Sequence, residues 1–137
     1  MRAFCLRPEQ VDEAWGELAS FFERFEKDGH DLSAKDVKAK ALESGTQVWG
    51  LQDEERVHGI LATEIVPTAH GRVCVITAAH GSAPEEDKRQ LMESVRRFAK
   101  ENGCTKIRIH GRPGWLRWDR RFEPVGIIAE MSLEGMS

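Results

Sequence analysis

The sequence predicts an α/β fold of the α+β kind, a single domain built on one mixed sheet. Three observations predict it. Residues 46–79 hold three apolar runs separated by short polar turns, the pattern of an antiparallel meander. The third of those runs, a helical pattern at 84–102 and a further run at 105–110 make a strand–helix–strand unit, whose length implies a parallel pair joined by a right-handed crossover. Two more helical patterns lie between a short first strand and the meander. A chain of 137 residues suits one core and one domain, 1–137.

The elements follow in order. Ala3 to Leu6 reads as a first strand. Pro8 suits the first helical position, where a missing N–H costs nothing. Val11, Ala14, Trp15, Leu18, Phe21, Phe22 and Phe25 then recur at steps of three and four, an amphipathic helix with an aromatic stripe turned to the core, stopped by Gly29. Ser33 and Asp36 form a capping box for a weakly apolar second helix with Val37, Ala41 and Leu42 inward and Gly45 as its stop, expected to lie over the surface.

Thr46 to Leu51, Val57 to Val66 and Arg72 to Ala79 are the meander strands. Gly59 marks a possible bulge in the second, and the third is apolar on both faces, so it should be central. The helix from Pro84 to Asn102 buries Leu91, Met92, Val95, Phe98 and Ala99 and ends at Gly103.

The stretch from Gly103 to Gly126 organises the rest. The strand Thr105 to His110 has Ile107 and Ile109 on one face and Lys106, Arg108 and His110 on the other. Gly111 and Gly114 bracket Pro113, and a short helix carries Trp115, Trp118 and Phe122 on one side and Arg117, Arg120 and Arg121 on the other, up to Pro124 and Gly126. Ile127 to Leu133 reads as a last strand.

The net charge of −3 gives no global field to steer the chain to nucleic acid or membrane. Its distribution is uneven. Lys106, Arg108, Arg112, Arg117, Arg120 and Arg121 stand against Asp119 alone, a local +5 that leaves −8 for the remainder. That patch could meet nucleic acid or an acidic protein surface. Cys5, Cys74 and Cys104 are odd in number, scattered and set among apolar residues, which reads as free thiols in a reducing compartment. No apolar run is long enough for a membrane span, the amino terminus lacks a signal-peptide pattern, and no His/Cys set has metal spacing. The expectation is an intracellular chain with no metal and no membrane partner.

The order β-α-α-β-β-β-α-β-α-β, with Phe98-Ala99 and Gly103-Cys104 closing the third helix, resembles the GNAT family of N-acetyltransferases over nearly the whole chain. Ile107-Arg108-Ile109-His110-Gly111-Arg112-Pro113-Gly114-Trp115-Leu116-Arg117 is similar to a stretch in small GNAT-like proteins encoded by bacteriophages, some of which belong to particle assembly. The resemblance implies a sheet that splays between 72–79 and 105–110.

It also implies an acetyl-CoA site at the start of the third helix, where free N–H groups and glycines let a diphosphate approach. The family's pattern there is Gln/Arg-x-x-Gly-x-Gly/Ala, and its glycines fall on Pro84, Glu86 and Lys88 of this chain. Glu85, Glu86 and Asp87 occupy that helix start instead. They suit the helix dipole and repel a diphosphate. Gly81 and Ser82 offer a displaced phosphate nest. The family often protonates the leaving thiolate with a tyrosine of its fourth helix, and this chain has no tyrosine. Cys104 or Ser82 would have to replace it.

Glu64 on the long meander strand is a candidate general base. His80 and His110 each follow an apolar strand and precede a glycine. If those strands are parallel neighbours, both reach the carboxyl edge where open sheets bind ligands, and with Arg112 they could form a small anion or amide site.

The leading expectation is a phage-type GNAT-fold protein with a degenerate cofactor site that acts by protein interaction in a virion or its assembly. It would be located in the host cytoplasm or the particle and would partner phage structural proteins. The alternative is an acetyl-CoA-dependent N-acetyltransferase with an atypical diphosphate loop, and a third reading is a nucleic-acid-binding accessory domain.

Overall fold

The computed structural model of the chain describes residues 1–27, 33–81, 83–110 and 114–136. Gly29, Ser82, Gly111, Arg112, Pro113 and the side chain of Trp115 lie outside the described residues. The elements are β1 (Arg2–Leu6), α1 (Pro8–Lys27), α2 (Ala34–Leu42), β2 (Gln47–Gln52), β3 (Val57–Thr68), β4 (Gly71–Gly81), α3 (Glu85–Glu101), β5 (Cys104–Ile109) and α4 (Gly114–Trp118). They form one five-stranded sheet in the order β1-β2-β3-β4-β5, with every neighbouring pair antiparallel except β4 and β5. This is the mixed α+β architecture the pattern predicts.

The sheet is covered on both faces. On one, Val11, Leu18 and Phe22 of α1 and Val37 and Ala41 of α2 meet Val48, Ile60, Ala62 and Ala78. On the other, Leu91, Met92, Val95 and Ala99 of α3 meet Trp49, Leu51, Leu61, Cys74 and Ile76, and Trp118 and Phe122 pack against the margin. α2 is therefore better seated than its weak apolar pattern suggests, since Ala34, Val37 and Ala41 are all buried. A few small residues suffice where a helix lies close to its neighbour.

The caps follow the residue chemistry. Ser33 Oγ accepts from the Asp36 N–H at 3.3 Å, as the capping box requires. At the end of α2 the left-handed residue is Ser44, with φ of 63°, and the Gly45 N–H donates to the Lys40 carbonyl at 2.8 Å. Gly103 closes α3 with φ of +75°, a conformation that glycine adopts without strain. In the second core the Trp49 Nε1–H donates to Thr63 Oγ1 at 3.1 Å, and the Thr63 hydroxyl donates to Gln47 Oε1 at 2.9 Å. That relay satisfies polar groups that burial would otherwise make costly.

Two bulges set which side chains face which layer. One falls at His58, beside Gly59, where Leu51 pairs with Gly59 and Gln52 with Val57. The other falls at Thr77, since Ala62 pairs with Ala78 and Thr63 with Ile76. Before it, Cys74 and Ile76 face α3. After it, Ala79 faces α3, and Ala78 turns to α1.

The parallel ladder of β4 and β5 runs from Arg72–Cys104 to Ile76–Ile109 and stops, while β4 continues to Gly81 paired only with β3. The two strands part at the bulge. This is the splay expected between 72–79 and 105–110.

The carboxyl-terminal segment differs from the expectation. Ile127 to Leu133 forms no strand, and the chain ends its sheet at β5. Pro124 removes a ladder donor just ahead of the segment, and among the described residues no strand lies alongside it. A lone apolar strand has nothing to hold it extended and dry. The helix expected to run to Pro124 ends at Trp118 instead, so Arg117 and Arg121 do not share a helix face.

Gly81 opposes Gly59 across the β3–β4 ladder. A Cβ on Gly81 would lie 2.6 Å from Gly59 Cα and 2.8 Å from the His58 carbonyl oxygen. Both are backbone atoms that cannot yield alone. Gly81→Ala should therefore destabilise the domain by about 1–3 kcal/mol through overpacking. Gly16→Ala, in exposed helix with no atom within 4 Å of the added carbon, should stabilise it by about 0.5–1 kcal/mol. Urea melts of the two variants beside wild type check both signs.

Candidate functional site

Where β4 leaves β5, a cavity of about 400 Å³ opens at the carboxyl end of β4. Leu51, Leu61, Ala79, Leu91 and Met92 make its wall apolar. Gly59, Gly81 and Trp118 of α4 also line it, as does residue 80, whose ring points away to α1, and Lys88 is its titratable side chain. The splay creates this space because, among the described residues, the last residues of β4 have a strand on one edge only. The volume lies within the range of small-molecule sites, which are mostly apolar with a few placed polar groups.

The start of α3 borders the cavity. Its cap residue, Pro84, offers no side-chain hydrogen bond, and Glu85, Glu86 and Asp87 fill the first turn. Two of those carboxylates are engaged. Glu85 Oε2 accepts from the Trp118 Nε1–H at 2.5 Å, which ties α4 to α3 across the cavity mouth. Asp87 pairs with the Met1 ammonium at 3.3 Å. Glu86 is exposed, and Lys88, one turn further on, brings a cation to the cavity wall.

His80 faces α1, on the side to which the Thr77 bulge turns it. Its Nε2 lies 3.2 Å from Arg24 Nη1, and its ring stands edge-on to Phe21 at 6.0 Å. A guanidinium can only donate, so Nε2 accepts and a neutral ring carries its proton on Nδ1. Gly81 lines the same cavity, but its amide sits in the ladder with Gly59, so close packing of two strands already accounts for that glycine.

The remaining candidates lie apart from the cavity wall. Glu64, three residues beyond Leu61 on β3, accepts from Thr46 Oγ1 at 3.0 Å and pairs with Lys40 at 3.4 Å, on the α2 side. His110 is exposed past the end of β5. Cys104 begins β5, beside α3's far end. Ser82 and Arg112 lie outside the described residues. Trp118 and Lys88 are cavity residues that the motif comparison did not single out. Trp118 was readable only as core, and Lys88 stood at a position aligned with a family glycine.

The basic patch is partly neutralised by its own surroundings. Arg121 grips Asp119 with two bonds, Nε to Oδ1 at 2.9 Å and Nη2 to Oδ2 at 2.7 Å, and reaches Glu93 Oε1 with Nη1 at 2.8 Å. The Arg121 hydrogen bond is the largest cause holding both carboxyls below their ordinary range, and the same contacts raise the Arg121 pKa. Lys106, Arg117 and Arg120 are exposed and Arg108 half-buried.

No family model and no curated protein matches the chain. Solved structures do. An aminoglycoside acetyltransferase from an uncultured soil metagenomic sample, in complex with sisomicin, matches with a TM-score of 0.74 at 12% identity over 97% of this chain and 96% of that one. A predicted acetyltransferase with acetyl-CoA from Clostridium acetobutylicum matches with a TM-score of 0.70 at 16% identity over 96% of each chain. A possible acetyltransferase from Clostridium difficile matches at 0.69 and 13% identity over 96% of this chain and 97% of that one. The chain therefore has the GNAT fold.

Lowered carboxyl pKa values mean that the Arg121 contacts stabilise the fold above the ordinary carboxylate range, near pH 4, and that this contribution is lost as pH falls through the depressed values. Arg121→Gln should lower the melting temperature at pH 7, where exposed pairs contribute about 0.2–1 kcal/mol each. The gap to wild type should close towards pH 2. Melting curves across that pH range measure it.

Proposed function

We propose that the chain is an acetyl-CoA-dependent N-acetyltransferase with an atypical diphosphate site. The observation that carries this is the apolar cavity at the point where β4 and β5 part, bordered by the amino end of α3. Support comes from the acetyltransferase descriptions of structures sharing the fold, one of them with acetyl-CoA.

The described residues fit the narrow, amide-bearing arm of the cofactor. The apolar wall of Leu51, Leu61, Leu91 and Met92 shields such an arm from water, and among the described residues no strand pairs with the β5-side edge of β4 beyond Ile76. Lys88 would offset the charge of the diphosphate, opposing Glu86. Acetyl-CoA, when bound, supplies an activated acetyl thioester.

The His80 ring lies on the opposite face of β4, against Arg24 and Phe21 of α1, and is not placed to take a proton from an amine in the cavity. Trp118, fixed by Glu85, forms one part of the cavity wall. A group to protonate the leaving thiolate is not among the described cavity residues, and bulk solvent serves in that place.

A second reading is contact with other proteins, such as those of a phage particle. The phage-like run 107–117 and the apolar residues exposed after Phe122 support it. Duplex binding has less behind it, because Arg121 is already paired.

Calorimetric titration with acetyl-CoA should give saturable binding. Ala79→Phe, which fills the cavity, should abolish it without unfolding the domain. Glu86→Gln, by removing a like charge, should tighten it several-fold. No heat of binding at millimolar acetyl-CoA would overturn the proposal.

A further inference from the structure

We propose that the cavity under the amino end of α3 holds a medium-length saturated acyl chain, so that the donor this protein prefers is a longer acyl thioester than acetyl-CoA. The inference rests on the acyltransferase reading above and names the donor class for the same site.

The first observation is the direction in which the cavity runs. The strand edge left bare among the described residues is the β5 side of β4 beyond Ile76. A cofactor arm laid along that edge lies beside β4. The cavity lining continues the other way, to Leu61 on β3 and Leu51 on β2. Ala79 pairs with Leu61 across one ladder, and Gly59 pairs with Leu51 across the next. Neighbouring strands lie about 4.8 Å apart, so β4 and β2 are separated by about 10 Å. An arm on the bare edge leaves that space unfilled.

The second is the reason the space exists. Where β3 and β4 end beneath α3, the lining positions are Gly59, Ala79 and Gly81, which carry too little side chain to reach the helix. Around them Leu51, Leu61, Leu91 and Met92 are at most 6% exposed. A chain placed among these four leaves water almost completely. Apolar walls also give an ordered water no partners, so an apolar guest has little bound solvent to displace.

The third is charge. Among the described lining residues Lys88 brings the one charged side chain, and none brings a carboxylate. An acceptor amine is an ammonium before it reacts, and a cation with no carboxylate to meet it does not enter an apolar wall. The acceptor therefore approaches from outside, and the apolar volume is left to the acyl end of the donor. An extended acyl chain of about eight carbons is about as long as two strand spacings, roughly 10 Å. Chain length leaves the transfer itself unaltered. The bond from amine nitrogen to carbonyl carbon forms, the carbon–sulfur bond breaks with its electron pair going to sulfur, and the amine's proton passes through solvent to the thiolate.

Calorimetric titration with CoA, acetyl-CoA, butanoyl-CoA, hexanoyl-CoA, octanoyl-CoA and dodecanoyl-CoA tests the chain-length dependence. Affinity should rise about fourfold for each added methylene up to octanoyl, the value of burying one such group. It should rise no further at dodecanoyl. Gly59→Ala adds a carbon 3.4 Å from Leu51 Cδ1, an ordinary contact that the fold tolerates. It should cut the ratio of octanoyl-CoA to acetyl-CoA affinity several-fold. Leu61→Phe, which fills more of the space, should cut that ratio at least tenfold, and thermal melts show whether each variant is folded. If Leu61→Phe unfolds, the ratio in Gly59→Ala decides. Wild type that binds octanoyl-CoA no more tightly than acetyl-CoA overturns this proposal and leaves the acetyl-CoA reading standing. A ratio unmoved in the folded variants overturns it as well, because the chain then lies elsewhere. Octanoyl-CoA binding with no heat from acetyl-CoA or CoA upholds the acyl chamber and sinks the acetyl-CoA reading. No heat from any of them overturns both.

Discussion

A strand in the middle of a sheet needs partners for its peptide groups on both edges. β4 has one partner for its eleven residues and another for only five positions. The rest of the structure depends on that shortfall. Up to Ile76 the strand is held on both sides, and Cys74 and Ile76 are buried under α3. Beyond Thr77 it keeps only β3, and the gap left by β5 becomes the cavity. The helix α3 starts on that gap because the crossover to a parallel neighbour must leave from the carboxyl end of β4. Sheet geometry, cavity and helix terminus are therefore one arrangement rather than three.

The parts of the fold carried by local patterning were legible in the sequence. The apolar stripe of α1 from Val11 to Phe22, the Ser33–Asp36 cap and the double-sided apolar run of β4 each admit one structure, and each is found; the side chain of Phe25 lies outside the described residues. What was not legible depends on register. Nothing in Thr-Ala-Ala-His says that Thr77 is the extra residue, yet that fact decides whether His80 faces α1 or α3. The Gly59–Gly81 contact likewise joins residues 22 positions apart, and Gly81 read from sequence alone resembled part of a phosphate nest. The last strand failed for a different reason. Ile127 to Leu133 has the right period, but a strand exists only beside another strand.

The site shows the same division. His80 stood out by its place after an apolar strand, but its ring faces α1 and not the cavity. Trp118 and Lys88 were missed as site residues because their roles come from α4 and α3 converging, which no spacing records. The positive cluster was visible in composition, but composition does not show that Arg121 is saturated by Asp119 and Glu93. Three acidic residues at a helix start looked like simple exclusion of a diphosphate. In the structure two of them brace the chain, one through Trp118 and one through the Met1 ammonium, and only the second is offset by a cation, which leaves Glu85 and Glu86 as the opposing charges.

The bulge at Thr77 gives the end of β4 an unusual sensitivity to insertion and deletion. Losing that one residue, a loss of three nucleotides in a gene, would restore plain alternation and carry Ala78, Ala79 and His80 to the opposite faces. The imidazole would then press into the α3 core and an alanine methyl would replace it beside Arg24. A substitution at 80 changes one side chain, whereas a deletion at 77 exchanges every side chain from there to the end of the strand. Lineages built on this strand thus have a route to a different chemical lining that passes through no intermediate point mutants.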